Sequence, residues 1–173
     1  RSGSNHRADA YGGPVEGRAR FLLEVTRAVV DAVGAGRVGV RLSPTNPFQS
    51  MTDADPAATF GYAAAELGAL GIAYLHLMEG SDEARALTPA LKRAFGGPVI
   101  VAGGYDAAKA ESVLEAGTAD LVAFGVPYLA NPDLPERLRA GAPLNAPDPS
   151  TFYGGDERGY LDYPTLAAAG AAA

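Results

Sequence analysis

One pattern limits what this chain can become: a short apolar run, then glycine, then a helical segment, repeated. The clearest copies adjoin each other in Pro98–Leu138, PVIVAGGYDAAKAESVLEAGTADLVAFGVPYLANPDLPERL. Pro98–Ala102 and Asp120–Phe124 have the length and apolar character of buried parallel strands. Gly103-Gly104 follow the first and Gly125 follows the second. Small residues at successive strand-to-helix turns let backbone N–H groups approach a ligand, and helix N-termini attract anions. In a β/α barrel the loops after the last two strands are the usual phosphate site. The pattern therefore predicts that this pair of neighbouring turns holds the phosphate of a cofactor.

The same alternation runs upstream. Pro14–Val33 is predicted as a helix, because Leu22, Val25, Val29 and Ala32 recur at helical spacing and Pro14 suits a helix start. Arg37–Leu42 reads as a strand stopped by Ser43-Pro44, and Thr45–Pro56 as a long loop of the kind that carries binding groups. Ala57–Leu70 is a helix ending at Gly71, Ile72–Met78 a strand, and Asp82–Phe95 a helix despite Pro89. Helices follow near Ala107–Ala116 and Asp133–Arg139. Strand-to-strand intervals of roughly 22 to 35 residues are the regime of repeated βα units. The fold class is α/β, with residues 1–140 forming four strands and their helices. That is half of an eightfold barrel or a small open sheet. Residues 141–173 read as an extended C-terminal segment with a tyrosine patch (Tyr153, Tyr160, Tyr163) and a flexible alanine-rich end.

Length and composition narrow the function. A complete β/α barrel normally needs about 250 residues, and this chain has 173. Net charge is −6 and the arginines form no basic stripe, so neither nucleic acid nor an anionic membrane surface is an expected partner. Cysteine is absent, which removes disulfides, zinc–thiolate sites and cysteine nucleophiles, and fits a cytoplasmic home. The two histidines, His6 and His76, lie far apart and make no legible metal site. No apolar run reaches the roughly 18 residues of a membrane span. No signal peptide is visible, and the start at Arg1 without an initiator methionine fits a processed chain or a fragment.

Several motifs have competing readings. Gly34-Ala35-Gly36-Arg37-Val38-Gly39 matches G-x-G-x-x-G, but a helix precedes it and a strand follows. The dinucleotide fingerprint needs the reverse order, so this is a helix cap and loop. Gly103-Gly104-Tyr105-Asp106 can be a tight turn with Asp106 as helix N-cap, a phosphate cradle, or both. Arg41, near the C-terminal end of its strand, is either paired with a carboxylate such as Glu79 or directed at an anion or a cofactor carbonyl. His76 alternates with Tyr74 and Met78 on one strand face, where a hydrogen-bonded core histidine is the commoner outcome.

Taken together these residues resemble the old yellow enzyme family, the FMN-dependent ene-reductases and NADPH dehydrogenases. The matching stretches run in order: Ser4 to Gly13 (SNHRADAYGG), Glu16 to Phe21 (EGRARF) leading into Leu23-Glu24-Val25, and Val38 to Pro44 (VGVRLSP). Tyr74-Leu75-His76, Ala102 to Tyr105, Ala123-Phe124-Gly125 and Ala130 to Leu134 (ANPDL) continue them. Phe152-Tyr153-Gly154-Gly155 and Gly159 to Pro164 (GYLDYP) complete them. The resemblance covers only the family's C-terminal half: strands 5–8 of a TIM (β/α)8 barrel, needing a partner half to close. It implies bound FMN, NADPH (or NADH) as reductant, and a small enone as substrate. Reduced flavin would pass hydride to the β-carbon and a tyrosine would protonate the α-carbon.

The resemblance also implies roles. Arg41 matches the arginine at the flavin N1/O2 edge, where positive charge stabilises the reduced flavin. Gly103, Gly104 and Tyr105 form the first phosphate turn, with Gly104, Gly125 and Val126 as backbone donors. Tyr153 matches the tyrosine lining the substrate and nicotinamide pocket. Arg41 and Tyr153 are thus the catalytic candidates. Two departures stand out. Val126 replaces the usual arginine, forfeiting a charged phosphate contact worth about 1.5–3 kcal/mol. Gly17 replaces an asparagine inside a helix, at an expected cost of about 1 kcal/mol. The absent upstream half would supply most contacts to the flavin ring, the substrate-anchoring residues and the proton-donating tyrosine.

The expected partner is an N-terminal half-barrel chain or a second copy of this one. A non-catalytic half-barrel, serving in binding or assembly, is the alternative. Half a barrel leaves open edges at Arg37–Leu42 and Asp120–Phe124. Its inner face, expected to include Val38 or a neighbour, Leu75 or His76, Val101 and Val122, would meet water.

Overall fold

A computed structural model describes residues 1–154 and 156–170. It divides into two compact units, Arg1–Ala123 and Phe124 onward.

In the first unit the order is α1 (Val15–Val33), β1 (Gly39–Leu42), α2 (Pro56–Ala69), β2 (Tyr74–Met78), α3 (Asp82–Phe95), β3 (Val99–Ala102), α4 (Ala107–Glu115) and β4 (Leu121–Ala123). Local chemistry explains the helix starts. The Asp55, Ser81 and Asp106 side chains accept from the N–H groups of Ala58, Ala84 and Lys109, each three residues on. Helix α3 runs unbroken through Pro89 because its buried row, Ala84, Thr88, Leu91 and Phe95, holds it against the sheet.

The four strands are parallel and pair in chain order, β1-β2-β3-β4. Leu75 and Leu77 of β2 and Val99 and Val101 of β3 are fully buried. They pack with Leu23, Phe60, Leu67, Leu91 and Phe95 of the helices, and Val40, Leu42 and Val122 continue the same face. The opposite face therefore carries Gly39, Arg41, Tyr74, His76, Met78, Ile100, Ala102, Leu121 and Ala123. This corrects the expected inner face. Leu75, Val101 and Val122 point to the helices, and His76 to the open side. Strand parity decides it, since a shift of one residue exchanges the faces. Gly39 leaves room there for the Tyr74 ring, which a Cβ would meet at 2.2 Å and displace. Gly17 is likewise a fitted glycine rather than a simple helix defect, since a Cβ would lie 2.2 Å from the Gly12 carbonyl oxygen.

The second unit holds α5 (Val126–Ala130), α6 (Leu134–Ala140), a 3-10 turn at Pro149–Thr151 and α7 (Leu166–Gly170). The segment after residue 140 contains these last two elements and is tied down by side chains. Buried Arg137 bonds Asp133 Oδ1 (2.7 Å) and the carbonyls of Pro143 (2.6 Å) and Pro164 (2.9 Å). Buried Asn131 accepts from the Asn145 N–H, while Asn145 Nδ2 donates to the carbonyls of Ala130 and Pro164. Of the alanine-rich end expected to be flexible, Leu166–Gly170 forms α7, and residues 171–173 lie outside the described residues. Among those described, no helix is long and apolar enough to cross a membrane.

Candidate functional site

The C-terminal ends of the strands in the first unit gather the polar groups. Arg41 and His76 are register partners on β1 and β2, so both face the open side. Arg41 is exposed, and among the described residues it takes part in no ion pair. The Arg41–Glu79 pairing weighed from sequence is not formed. His76 Nε2 is buried and has no hydrogen-bond partner among the described residues. A satisfied core histidine would have one. Burial, and secondarily the Arg41 charge, push the imidazole pKa down. His76 is therefore neutral at pH 7, one ring nitrogen donating and the other accepting.

Glu79, one residue past β2, belongs to a different cluster. Its side chain is 2% exposed, and its carboxylate accepts from Thr88 Oγ1 and from the Tyr105 hydroxyl. Its N–H donates to the Ala102 carbonyl at 2.7 Å, extending the ladder past the strand. Burial first, then the hydrogen bond to Glu79 and its negative charge, drive the Tyr105 phenol pKa well above its ordinary value. The phenol is a proton donor to Glu79 across the physiological range.

Above this cluster lies the Gly103-Gly104 turn. Gly103 has φ +126°, and a Cβ there would fall 2.4 Å from the Glu79 carbonyl oxygen. Gly104 has φ +68°, but its surroundings are open, with only Arg85 Nη2 within 4 Å of a built Cβ. The first glycine is demanded by backbone contact; the second by conformation, with clear space beside it. Arg85 Nη2 donates to the Gly103 carbonyl at 2.9 Å, and its guanidinium sits 6.0 Å from the Tyr105 ring centre. Asp106 caps α4 through the Lys109 N–H at 2.8 Å, as the turn reading expects.

In the second unit, Gly125 precedes α5 with open space around it, and Val126 is 43% exposed. The Tyr153 side chain is 96% exposed and meets Phe152 edge to face.

Sequence reasoning missed Arg85, the Thr88 contact and the true partners of Glu79. One signal was available. Thr88 interrupts the apolar row of α3, and a polar side chain on a buried helix face needs a buried partner.

Comparison with known proteins defines the class. The fold aligns with morphinone reductase at TM-score 0.89 and 49% identity, over 95% of this chain and 46% of that one. It aligns equally with morphinone reductase in complex with tetrahydroNAD, at TM-score 0.87 and 50% identity, over 95% and 46%. A Leishmania infantum protein named probable flavin mononucleotide-dependent alkene reductase is 44% identical over 168 residues, 96% of this chain and 46% of the relative. The structure is thus one half of a parallel β/α barrel of the flavin oxidoreductase kind. Residues 1–145 match the family described as NADH:flavin oxidoreductase / NADH oxidase, and the chain belongs to it. It spans about half the length of the relatives it matches.

Proposed function

We propose that this chain is the FMN-phosphate half of an old-yellow-enzyme-type reductase that acts on the activated C=C bond of small enones or enals. The carrying observation is the pairing of Arg41, without an ion pair among the described residues, with a neutral, unpartnered His76 on the open face. A guanidinium and an imidazole nitrogen left without protein partners fit a polar ring laid across that face. The open space beside Gly104 fits an anion approaching the backbone.

Bound FMN would supply the hydride chemistry. Arg41 would place positive charge where negative charge develops during reduction. Gly104, and separately Gly125 and Val126, would offer backbone N–H groups to the phosphate. Tyr153, in the segment 141–173, would meet substrate with its exposed ring. NADPH is the proposed reductant; the solved complex of a relative with tetrahydroNAD supports keeping NADH beside it. The cysteine-free composition supports a cytoplasmic location.

The proposed partner is an N-terminal half-barrel. Strand β1 is a sheet edge, and α1 exposes an apolar row at every fourth residue: Phe21 (68%), Val25 (46%), Val29 (43%) and Val33 (46%). Tyr74 and Leu121 add exposed apolar surface on the open sheet face. A second reading, a half-barrel without catalytic activity, is favoured by Val126, which stands after Gly125 where the resemblance implies that an arginine is usual.

Co-expression with the N-terminal half-barrel of a relative tests the proposal. The expected product is a yellow two-chain complex, seen by sedimentation velocity and bleached by NADPH or NADH. Arg41→Met in that complex should slow flavin reduction by more than tenfold, roughly the scale of one lost electrostatic contact, with its melting temperature little changed. Association without flavin would favour the second reading. A compact, cooperatively folding 17.6 kDa monomer that ignores the other half would overturn the partner assignment.

A further inference from the structure

Glu79 is a buried carboxylate with no part in the chemistry above. It is satisfied by two hydroxyl donors, one from each side. Thr88 comes from α3, and Tyr105 comes from the turn that follows β3. A buried carboxyl bonded through each oxygen resists movement, because any departure leaves a polar group without a partner in a poor solvent. Here one of the two ties belongs to the glycine turn itself. Tyr105 follows Gly104 directly, so its side chain fixes the direction of the peptide that joins them.

Two further contacts fix the rest of the turn. Arg85 Nη2 holds the Gly103 carbonyl at 2.9 Å and approaches the Glu79 carbonyl at 3.5 Å. The Gly103 α-carbon sits so close to the Glu79 backbone that no side chain fits between them. The turn is thereby held by its carbonyl, its α-carbon and the side chain at its end. The least crowded face is the one beside Gly104, where Arg85 Nη2 alone comes within 4 Å of a built Cβ. Glycines in left-handed conformations are otherwise free to move, and a loose turn would have to be ordered by its ligand at a cost in affinity.

We propose that Glu79, Tyr105 and Arg85 are positioning residues that preset the Gly103-Gly104 turn to present its N–H groups to the phosphate. The inference rests on the FMN reading above and deepens it. Tyr105 then serves through its backbone N–H at the phosphate and its hydroxyl at Glu79, rather than through ring contact with the cofactor. Thr88 satisfies the same carboxylate but does not touch the turn, so its loss reaches the turn only through Glu79 and gives the weaker comparison.

The test compares FMN with riboflavin, which lacks the phosphate, on the form of the protein that retains flavin, alone or complemented. Dissociation constants come from quenching of flavin fluorescence, and melting temperatures are recorded alongside. Tyr105→Phe should weaken FMN binding by about tenfold, the scale of one hydrogen bond to a charged group, and leave riboflavin binding within about twofold. Arg85→Met should act in the same direction. Thr88→Val should lower the melting temperature and move the ratio of FMN to riboflavin affinity clearly less than Tyr105→Phe does. A loss shared equally by both flavins, or a ratio moved as much by Thr88→Val, makes the cluster merely structural and overturns the inference. An unchanged ratio in Tyr105→Phe and Arg85→Met overturns it too. Wild-type protein that binds neither flavin in any form fails the FMN reading itself, and this inference with it.

Discussion

Each of the two units has its own kind of interior. In Arg1–Ala123 the buried positions are mostly aliphatic and lie on strands and helices in regular alternation: Leu75, Leu77, Val99, Val101, Leu67, Leu91. In the unit beginning at Phe124, Asn131 and Arg137 are almost fully buried beside Ala130 and Leu134. Side-chain hydrogen bonds to carbonyls bind its irregular segments. An apolar interior tolerates small shifts and pays mainly in area. A polar one depends on each bond, because a stranded amide or guanidinium has no water to fall back on.

The largest expected effect attacks the first kind of interior. Leu77→Ala removes a fully buried side chain facing the helices and should cost about 2–5 kcal/mol. Denaturant titration of β2 amide protection reads it, and a loss below 1 kcal/mol would mean that this sheet face is not the core. Next comes Arg137→Met. It deletes bonds to Asp133, Pro143 and Pro164 and should cost about 1.5–3 kcal/mol. Hydrogen exchange should show the loss at residues 142–166 while β2 amides keep their protection. Equal loss in β2 would erase the distinction between the two regions.

The smallest effect is acid titration. The Asp133 carboxyl is held below its ordinary value by the Leu166 N–H and then by Arg137; Asp120 by Lys92 and then the Val99 N–H. A carboxyl with a depressed folded pKa stabilises fully above its unfolded value, about 3.9. That contribution fades as pH falls through the depressed folded value. As pH falls from about 4 through that lower folded value, Leu166 protection should therefore weaken and be lost, while Leu75, held by backbone pairing inside an apolar layer, stays protected. Leu166 protection unchanged down to pH 2, with the tie to Asp133 proton-independent, would contradict the assignment.

The contrast also separates what periodicity reveals from what it hides. Helix α3 and the strands were legible because apolar spacing and capping residues state them locally: Ser81 before α3, Asp106 before α4, glycines after β3 and β4. The family resemblance carried the half-barrel, since no spacing argument distinguishes half a barrel from a small open sheet. The inner face was misread at Val101 and Val122, because a continuous apolar run carries no alternation to set its parity. The tail beyond residue 140 was read as extended because its order comes from Arg137 and Asn145, whose bonds span 6 to 27 residues. The partners of Glu79 stayed hidden for the same reason: Arg41 was weighed as one of them, while Tyr105 lies 26 residues away.

The neighbour-to-neighbour order of the strands has a consequence for how the sheet is made. Each strand pairs with the one synthesised just before it. Every closure therefore spans one βα unit, and doubling a loop adds only about 0.6 kcal/mol to its entropy cost. No strand of β1-β2-β3-β4 has to wait for a distant one to emerge, so pairing can advance in step with translation. Within this stretch the sheet can extend from β1 toward β4 one strand at a time, each new strand meeting a neighbour already released.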